Sequence, residues 1–319
     1  MKDHLKVPEK SGEEAIRMLK NSGILDPEFS ILHEGGFLFI PLASNPENVD
    51  SKWEIVRLEG VARAKRNYPV RISGSYDVIG HIAISKERNE EKLRNLAADL
   101  MKSGKGIRSV YFDRGVKGDA RIRDLMLIAG EDAPVAMYRE NGIILKVDVK
   151  KVYFSPRLAT ERLLLSTKVS DGERIVDMFA GVGSFALNIA SRKNTNITAI
   201  DNNPNAVSLM QENIGMNRLL GKITPLMADS SKAIIDYHDV DRIIMNLPHG
   251  AYSFIKPALG SLREGGKLNY YEICDFERLV DRLEEFRRIG LIMAEKREVH
   301  AYSSKERMYS VELVKRKLA

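Results

Sequence analysis

Val176-Asp-Met-Phe-Ala-Gly-Val-Gly-Ser-Phe185 decides the fold. An apolar strand ending on an acid runs into Gly181-Val-Gly183 and then into a helix, so the backbone can approach a ligand at a helix N-terminus. Strand and helix patterns alternate from Glu173 onward, which argues for βαβ units and a parallel sheet. The strands read as Arg174–Phe179, Asn196–Asp201, Ile223–Asp229, Arg242–Asn246 and Gly266–Tyr271, with helices over Ser184–Ser191 and Pro204–Asn217. Ala294–Ala301 and Arg307–Leu313 read as a closing antiparallel pair.

Two smaller blocks precede this one. Ser11 is a candidate N-cap, with Glu14 three residues on, for an amphipathic helix ending near Asn21-Ser-Gly23. Phe29–His33 and Phe37–Pro41 flank Glu34-Gly-Gly36 as a hairpin, giving a small βαββ unit, and Ala43–Ser51 reads as linker. In the second block, Ser75–Ile84 alternates like a strand, Glu90–Lys102 is a charged amphipathic helix, and Ser109–Phe112 is a further strand. Ala133–Arg139 and Ile143–Val149 are joined at Glu140-Asn-Gly142, a tight-turn signal. The expected organisation is α/β: a βαββ domain with linker at 1–60, an α+β domain at 61–160, and a Rossmann-like domain at 161–319.

The 319 residues carry 50 Lys plus Arg against 44 Asp plus Glu, a net charge of +6. An apolar fraction of 44% excludes a disordered or fibrous chain. The lone Cys274 excludes intramolecular disulfides and points to a reducing compartment, the cytoplasm. Neither a signal core nor a membrane span is legible. The basic residues cluster. Lys102, Lys105, Arg108, Arg114, Lys117, Arg121 and Arg123 face only Asp113 and Asp119, with Tyr111 and Phe112 among them. Arg57, Arg63, Lys65, Arg66 and Arg71 form a second run. Such runs are more often solvated surface, but two of them outside the glycine-rich block raise the odds for RNA.

The strand ends carry the chemistry. With Ala186, the glycines satisfy G-x-G-x-x-G/A, and Asp201 lies 20 residues beyond Gly181, the spacing of a ribose-gripping carboxylate. That favours a nicotinamide dinucleotide, and with it an oxidoreductase. Asp177 argues against it, because a carboxylate there repels a pyrophosphate and suits a cationic ligand such as S-adenosylmethionine. Asp229, alone a helix cap, sits where an adenine amine would meet an acceptor. Met245-Asn-Leu-Pro-His249 reads either as an ordinary turn or as a side-chain amide and two backbone carbonyls facing the donor. Four such signals in order, each after an apolar strand, are specific.

Together with Lys151-Val-Tyr-Phe-Ser-Pro-Arg-Leu-Ala-Thr-Glu-Arg162, these motifs resemble the archaeal and eukaryotic tRNA (guanine-37-N1)-methyltransferases. Ser75-Tyr-Asp-Val-Ile-Gly80, Lys117-Gly-Asp-Ala-Arg121 and Leu127-Ile-Ala-Gly-Glu131 are similar to motifs of that family's second domain, and the βαββ block to its archaeal form. The resemblance implies a class I methyltransferase domain, S-adenosylmethionine as cofactor, and tRNA as substrate, held at the anticodon loop and through its body. It implies that Glu161 removes the N1 proton, Arg121 holds O6, Asn246 orients the base edge and Pro248 shapes the turn. It further assigns Tyr153, Arg157, Asp177, Phe179, Gly181, Gly183, Asp201, Asp229 and Asn246 to the cofactor pocket. Without it, Glu161–Arg162 reads as a solvated helix face. Some members also methylate a wyosine intermediate at the same nucleotide. A sister group transferring an aminocarboxypropyl unit typically lacks the Asn-Leu-Pro turn. This chain departs from the pattern at His249, where related amine methyltransferases place an aromatic, and at Ser303-Ser304 in the last hairpin.

Overall fold

A computed structural model describes residues 1–44, 53–61, 72–117 and 122–316. The chain divides into two compact units, Met1–Val70 and Arg71–Ala319. In the first, β1 (Lys2–Pro8) is followed by α1 (Gly12–Asn21), β2 (Leu32–Glu34), β3 (Phe37–Pro41) and β4 (Glu54–Leu58). They form an antiparallel sheet in the order β2-β3-β1-β4, with Leu5, Val7, Leu19 and Ile40 in its core. The fourth strand lies within a stretch that charge alone marks as surface. Leu5 pairs with Ile55, and Arg57 is ion-paired to Asp3 at 2.8 Å. Ser11 occupies the N-cap position without a side-chain capping bond.

The second unit begins with β5 (Tyr76–Ile79), β6 (Ile82–Ser85), α2 (Glu90–Lys102), β7 (Ser109–Lys117) and β8 (Ile122–Gly130), in one sheet of that strand order. The alternating run Ser75–Ile84 is therefore a hairpin rather than one strand. Gly80 turns it with φ of 57°, and a Cβ there would fall 2.6 Å from the carbonyl oxygen of Met137, so only glycine fits. A second hairpin, β9 (Val135–Glu140) and β10 (Ile143–Asp148), turns at Asn141 and Gly142, both at positive φ.

Then come α3 (Ala159–Lys168), β11 (Arg174–Asp177), α4 (Ser184–Ala190), β12 (Asn196–Asp201), α5 (Pro204–Met216), β13 (Lys222–Met227), α6 (Ser230–Ala233), β14 (Val240–Met245), α7 (Ile255–Ser261), β15 (Leu262–Cys274), α8 (Phe276–Arg288), β16 (Leu291–Ala301) and β17 (Arg307–Lys315). The seven strands run β13-β12-β11-β14-β15-β17-β16, the first five parallel and the last two joined antiparallel. Successive residues point to opposite faces. Ile175, Ile197, Ile244 and Tyr271 pack with α3, α4 and α5, while Val176, Ile243, Leu268 and Tyr270 pack with α7 and α8. The doubly wound sheet and its closing pair are as expected from the pattern.

Side-chain amides fasten the β9–β10 hairpin to this sheet's helices. Asn213 of α5 and Asn217, which caps its C-terminus, exchange hydrogen bonds with the backbone of Lys146 (2.7 and 3.2 Å) and Ile144 (2.9 and 2.7 Å), as a neighbouring strand would. Arg162 forks onto Glu140 at 2.6 Å through both nitrogens, and Asn188 adds a bond of 2.8 Å to the same carboxylate. Glu161 and Arg162 are 4% and 1% exposed, so this pair is not a solvated helix face.

Arg242 is fully buried on β14, bonded to Glu173 at 2.7 Å, Asn269 at 2.9 Å and Glu312 at 3.1 Å. Glu312 is held below the usual carboxylate range despite its burial, because Lys267 and Arg242 stand beside it. Removing one partner of a buried pair strands the remaining charge. Arg242→Met is expected to cost about 3–5 kcal/mol in urea unfolding, and less when Glu173 and Glu312 are made Gln in the same chain.

Candidate active site

The carboxyl ends of β11, β12, β13 and β14 open onto a cavity of about 750 Å³. This is the edge at which open α/β sheets collect their ligands. Gly181 and Gly183 form its turn at φ of 55° and 83°, left-handed values that favour glycine. Gly183 is also the N-cap of α4, and a Cβ on it would lie 2.7 Å from Met210 Cγ. A Cβ on Gly181 would meet nothing closer than 3.9 Å, so that residue is glycine for its conformation alone.

The acids at this edge differ sharply. Asp177 is fully buried next in sequence to the lining residues Met178 and Phe179; the Phe179 backbone N–H lies near its carboxylate, but neither oxygen meets a partner within hydrogen-bond geometry. Burial, opposed in part by the Phe179 backbone N–H and aided by the neighbouring Asp201, pushes its pKa up to about 7. Asp201 lines the cavity and accepts from the backbone N–H of Gly181 at 2.7 Å and of Asn203 at 2.9 Å. Burial still raises it above the usual range. Each of its oxygens keeps a second lone pair for a ligand hydroxyl. Asp229 also lines the cavity and caps α6, accepting from Ser231 N–H at 2.9 Å and Ser231 Oγ at 2.7 Å, which holds its pKa down. Cap and cavity acceptor are here the same residue.

At the end of β14, Asn246 presents a buried Oδ1 without a partner, and it lines the cavity with Leu247, Pro248 and His249. The two carbonyls that follow do not face a ligand as expected. Leu247 O accepts from Gly250 and Ala251 N–H, both at 2.9 Å, and Pro248 O from Ile273 N–H at 3.0 Å. The turn spends them on its own rigidity, leaving the Asn246 amide as the free acceptor.

Tyr153 and Phe179 line the cavity; Asp177, Arg157 and Glu161 do not. Arg157 reaches away to Asp77 on β5 at 2.6 Å, tying the first sheet of this unit to the Lys151–Arg162 segment. Glu161 is ion-paired with Arg297 on β16 and accepts from Tyr271 Oη at 3.0 Å and Ser310 Oγ at 2.9 Å. Its neighbour Arg162 does line the cavity. Arg121, expected at guanine O6, lies outside the described residues, as do Arg63, Lys65, Arg66 and Arg71 of the basic runs. Of the cations that are described, Arg108 and Arg114 are ion-paired to Glu131 and Asp124, each at 2.7 Å.

The sequence reading missed Arg123. It is 7% exposed, lines the cavity, bonds Asp113 at 3.2 Å and the Phe154 carbonyl at 3.1 Å, and lies 5.3 Å from the centre of the Tyr153 ring. Its place in a strongly basic run hid it. Its only local cue was its place two residues beyond Arg121 in sequence. Lys86, His300 and Tyr302 complete the lining with no motif to announce them. Among the described residues no helix is long and apolar enough to cross a membrane.

The TRM5/TYW2 methyltransferase domain model matches residues 136–300, with the tRNA methyltransferase 5 N-terminal domain at 5–50 and the TYW2 N-terminal domain at 63–133. The tRNA (guanine(37)-N(1))-methyltransferase Trm5b of Pyrococcus abyssi is 37% identical over 84% of this chain and 83% of its own. The protein of that name from Methanocaldococcus jannaschii is 35% identical over 95% of both chains. The solved complex of aTrm5 and tRNALeu superposes with a TM-score of 0.77 at 33% identity, over 98% of this chain and 99% of that one. The match is to methyltransferases, which sets aside the oxidoreductase reading of Gly181-Val-Gly183 and Asp201. The chain belongs to the TRM5/TYW2 methyltransferase family, among the archaeal and eukaryotic tRNA (guanine-37-N1)-methyltransferases.

Proposed function

We propose that this enzyme methylates N1 of guanosine 37 in tRNA, with S-adenosylmethionine as donor. The observation that carries the reading is the cavity at the strand ends, lined by the acceptors of Asp201, Asp229 and Asn246, with the carboxylate of Asp177 buried next in sequence to the lining residue Met178. A buried carboxylate without a partner is costly, and a cation brought near relieves that cost. The donor's sulfonium and ammonium groups supply such a charge, Asp201 suits its ribose hydroxyls, and Asp229 its adenine amine. When bound, S-adenosylmethionine supplies an electrophilic methyl group.

The remaining work falls to side chains. Guanine N1 carries a proton that must leave, and charge builds on O6 as it does. Asn246 Oδ1 accepts only, so it suits a base edge that bears N–H groups. Arg121 is proposed to meet O6, and Glu161 to accept the N1 proton. For that, the Glu161 side chain must exchange Arg297, Ser310 and Tyr271 for the cavity, beside Arg162, which already lines it. The target purine lies in an anticodon loop and has to be extruded to enter.

The direct test is methyl transfer to tRNA transcripts with guanosine or adenosine at position 37. Labelling of the guanosine transcript alone is expected; equal labelling, or none, contradicts the reading. A transcript carrying the wyosine intermediate, run alongside, separates the single-substrate reading from the bifunctional one. Glu161→Gln is expected to lower kcat by about a hundred-fold or more while tRNA affinity holds. A loss of thermal stability with kcat retained would instead make Glu161 a purely structural ion-pair partner.

A further inference from the structure

The cavity lining divides by element. Asp201, Asp229 and the Asn246 amide sit at the ends of β12 to β14, whereas Lys86, His249 and Tyr302 come from the loop after β6, the turn after β14 and the tip of the β16–β17 hairpin. A sulfonium cofactor draws on the first set. In the second set Lys86 has the wrong charge for it, and a cation with two aromatic rings has the right chemistry for a nucleotide.

His249 and Tyr302 form an edge-to-face pair, with ring centres 5.4 Å apart and planes at 67°. Both rings stand on short, internally bonded turns. Leu247 O takes two N–H groups behind His249, while Tyr302 N and Ser303 N both donate to Glu306 O at 3.0 and 3.1 Å. Arg307 Nη1 closes the same tip onto Ser303 O at 2.8 Å. Tyr302 is nevertheless 49% exposed, so this bonded turn presents it without making it core. In an edge-to-face pair the edge of one ring meets the face of the other, so each ring keeps at least one face clear of its partner. Lys86 is exposed at the same cavity and has no hydrogen bond or ion pair among the described residues.

We propose that Tyr302, braced by His249, is the stacking surface for the extruded purine, and that Lys86 takes the phosphate of that nucleotide. This rests on the reaction proposed above and adds the residues that hold the base before transfer. It also gives His249 a use, with the imidazole steadying the tyrosine that receives the base.

The test is tRNA binding, read without catalysis, alongside S-adenosylmethionine binding by titration calorimetry. Y302A is expected to weaken tRNA binding about ten-fold, and Y302F, which keeps the ring, to bind within about two-fold of the parent. K86M is expected to lower the slope of log affinity against log salt by about 0.7–1. Cofactor affinity should be held in all three variants. Unweakened tRNA binding by Y302A, an equal loss of cofactor affinity, or a parental salt slope in K86M overturns the proposal. Because these are binding readouts, a failure of methyl transfer to guanosine 37 would show separately.

Discussion

A carboxylate buried without a partner is the constraint around which the cofactor block is arranged. Asp177 ends β11 in the middle of a seven-stranded sheet, fully buried, with neither oxygen hydrogen-bonded. Elsewhere in the unit the chain pairs its buried charges carefully. Arg242 answers Glu173 and Glu312, and Arg162 answers Glu140. Leaving Asp177 alone is thus a local exception, and such exceptions gather at functional sites. Its consequence is a raised proton affinity, relieved most directly by a cation at the strand ends.

The second element of the site is held by polar contacts rather than by apolar packing alone. Asparagines of α5 and its C-cap act as a surrogate strand for β10, Arg162 and Asn188 converge on Glu140, and Arg157 and Arg123 fasten Asp77, Asp113 and Phe154 together. These bonds fix the Lys151–Arg162 segment between the sheet that carries Arg123 and the sheet that carries Asp177. Directional bonds of this kind set a wall position more sharply than a greasy interface does, since each loses its value over a few tenths of an ångström. Tyr153 inherits its place from them.

Much of this was legible beforehand, for identifiable reasons. The parallel sheet announced itself because βαβ units repeat a simple apolar alternation, and Asp177, Asp201, Asp229 and Asn246 sat at strand ends where that repeat breaks. The hairpin within Ser75–Ile84 was not legible, since period-two alternation continues across a tight turn. Strand β4 was masked by its charges, since Glu54 and Arg57 are both exposed on an edge strand. Glu161 and Arg162 could not be read as buried from their own helix, because their partners are 110 to 149 and 22 residues away in sequence. Tyr302 and Lys86 reach the cavity only through tertiary folding, and no spacing rule connects them.

Thermal unfolding of Asp177→Asn and its parent, with and without S-adenosylmethionine at pH 8 and pH 5.5, tests the central claim most directly. A carboxyl whose pKa is raised from 3.8 to about 7 contributes stability below its unfolded value and loses it as pH rises through about 7. The cofactor-free Asn variant should therefore melt above the parent at pH 8, and by a smaller margin at pH 5.5. The stabilisation that S-adenosylmethionine confers at pH 8 should shrink, matching a loss of affinity of about ten-fold. An Asn variant no more stable than the parent at pH 8, or one that gains as much from the cofactor, would contradict the account.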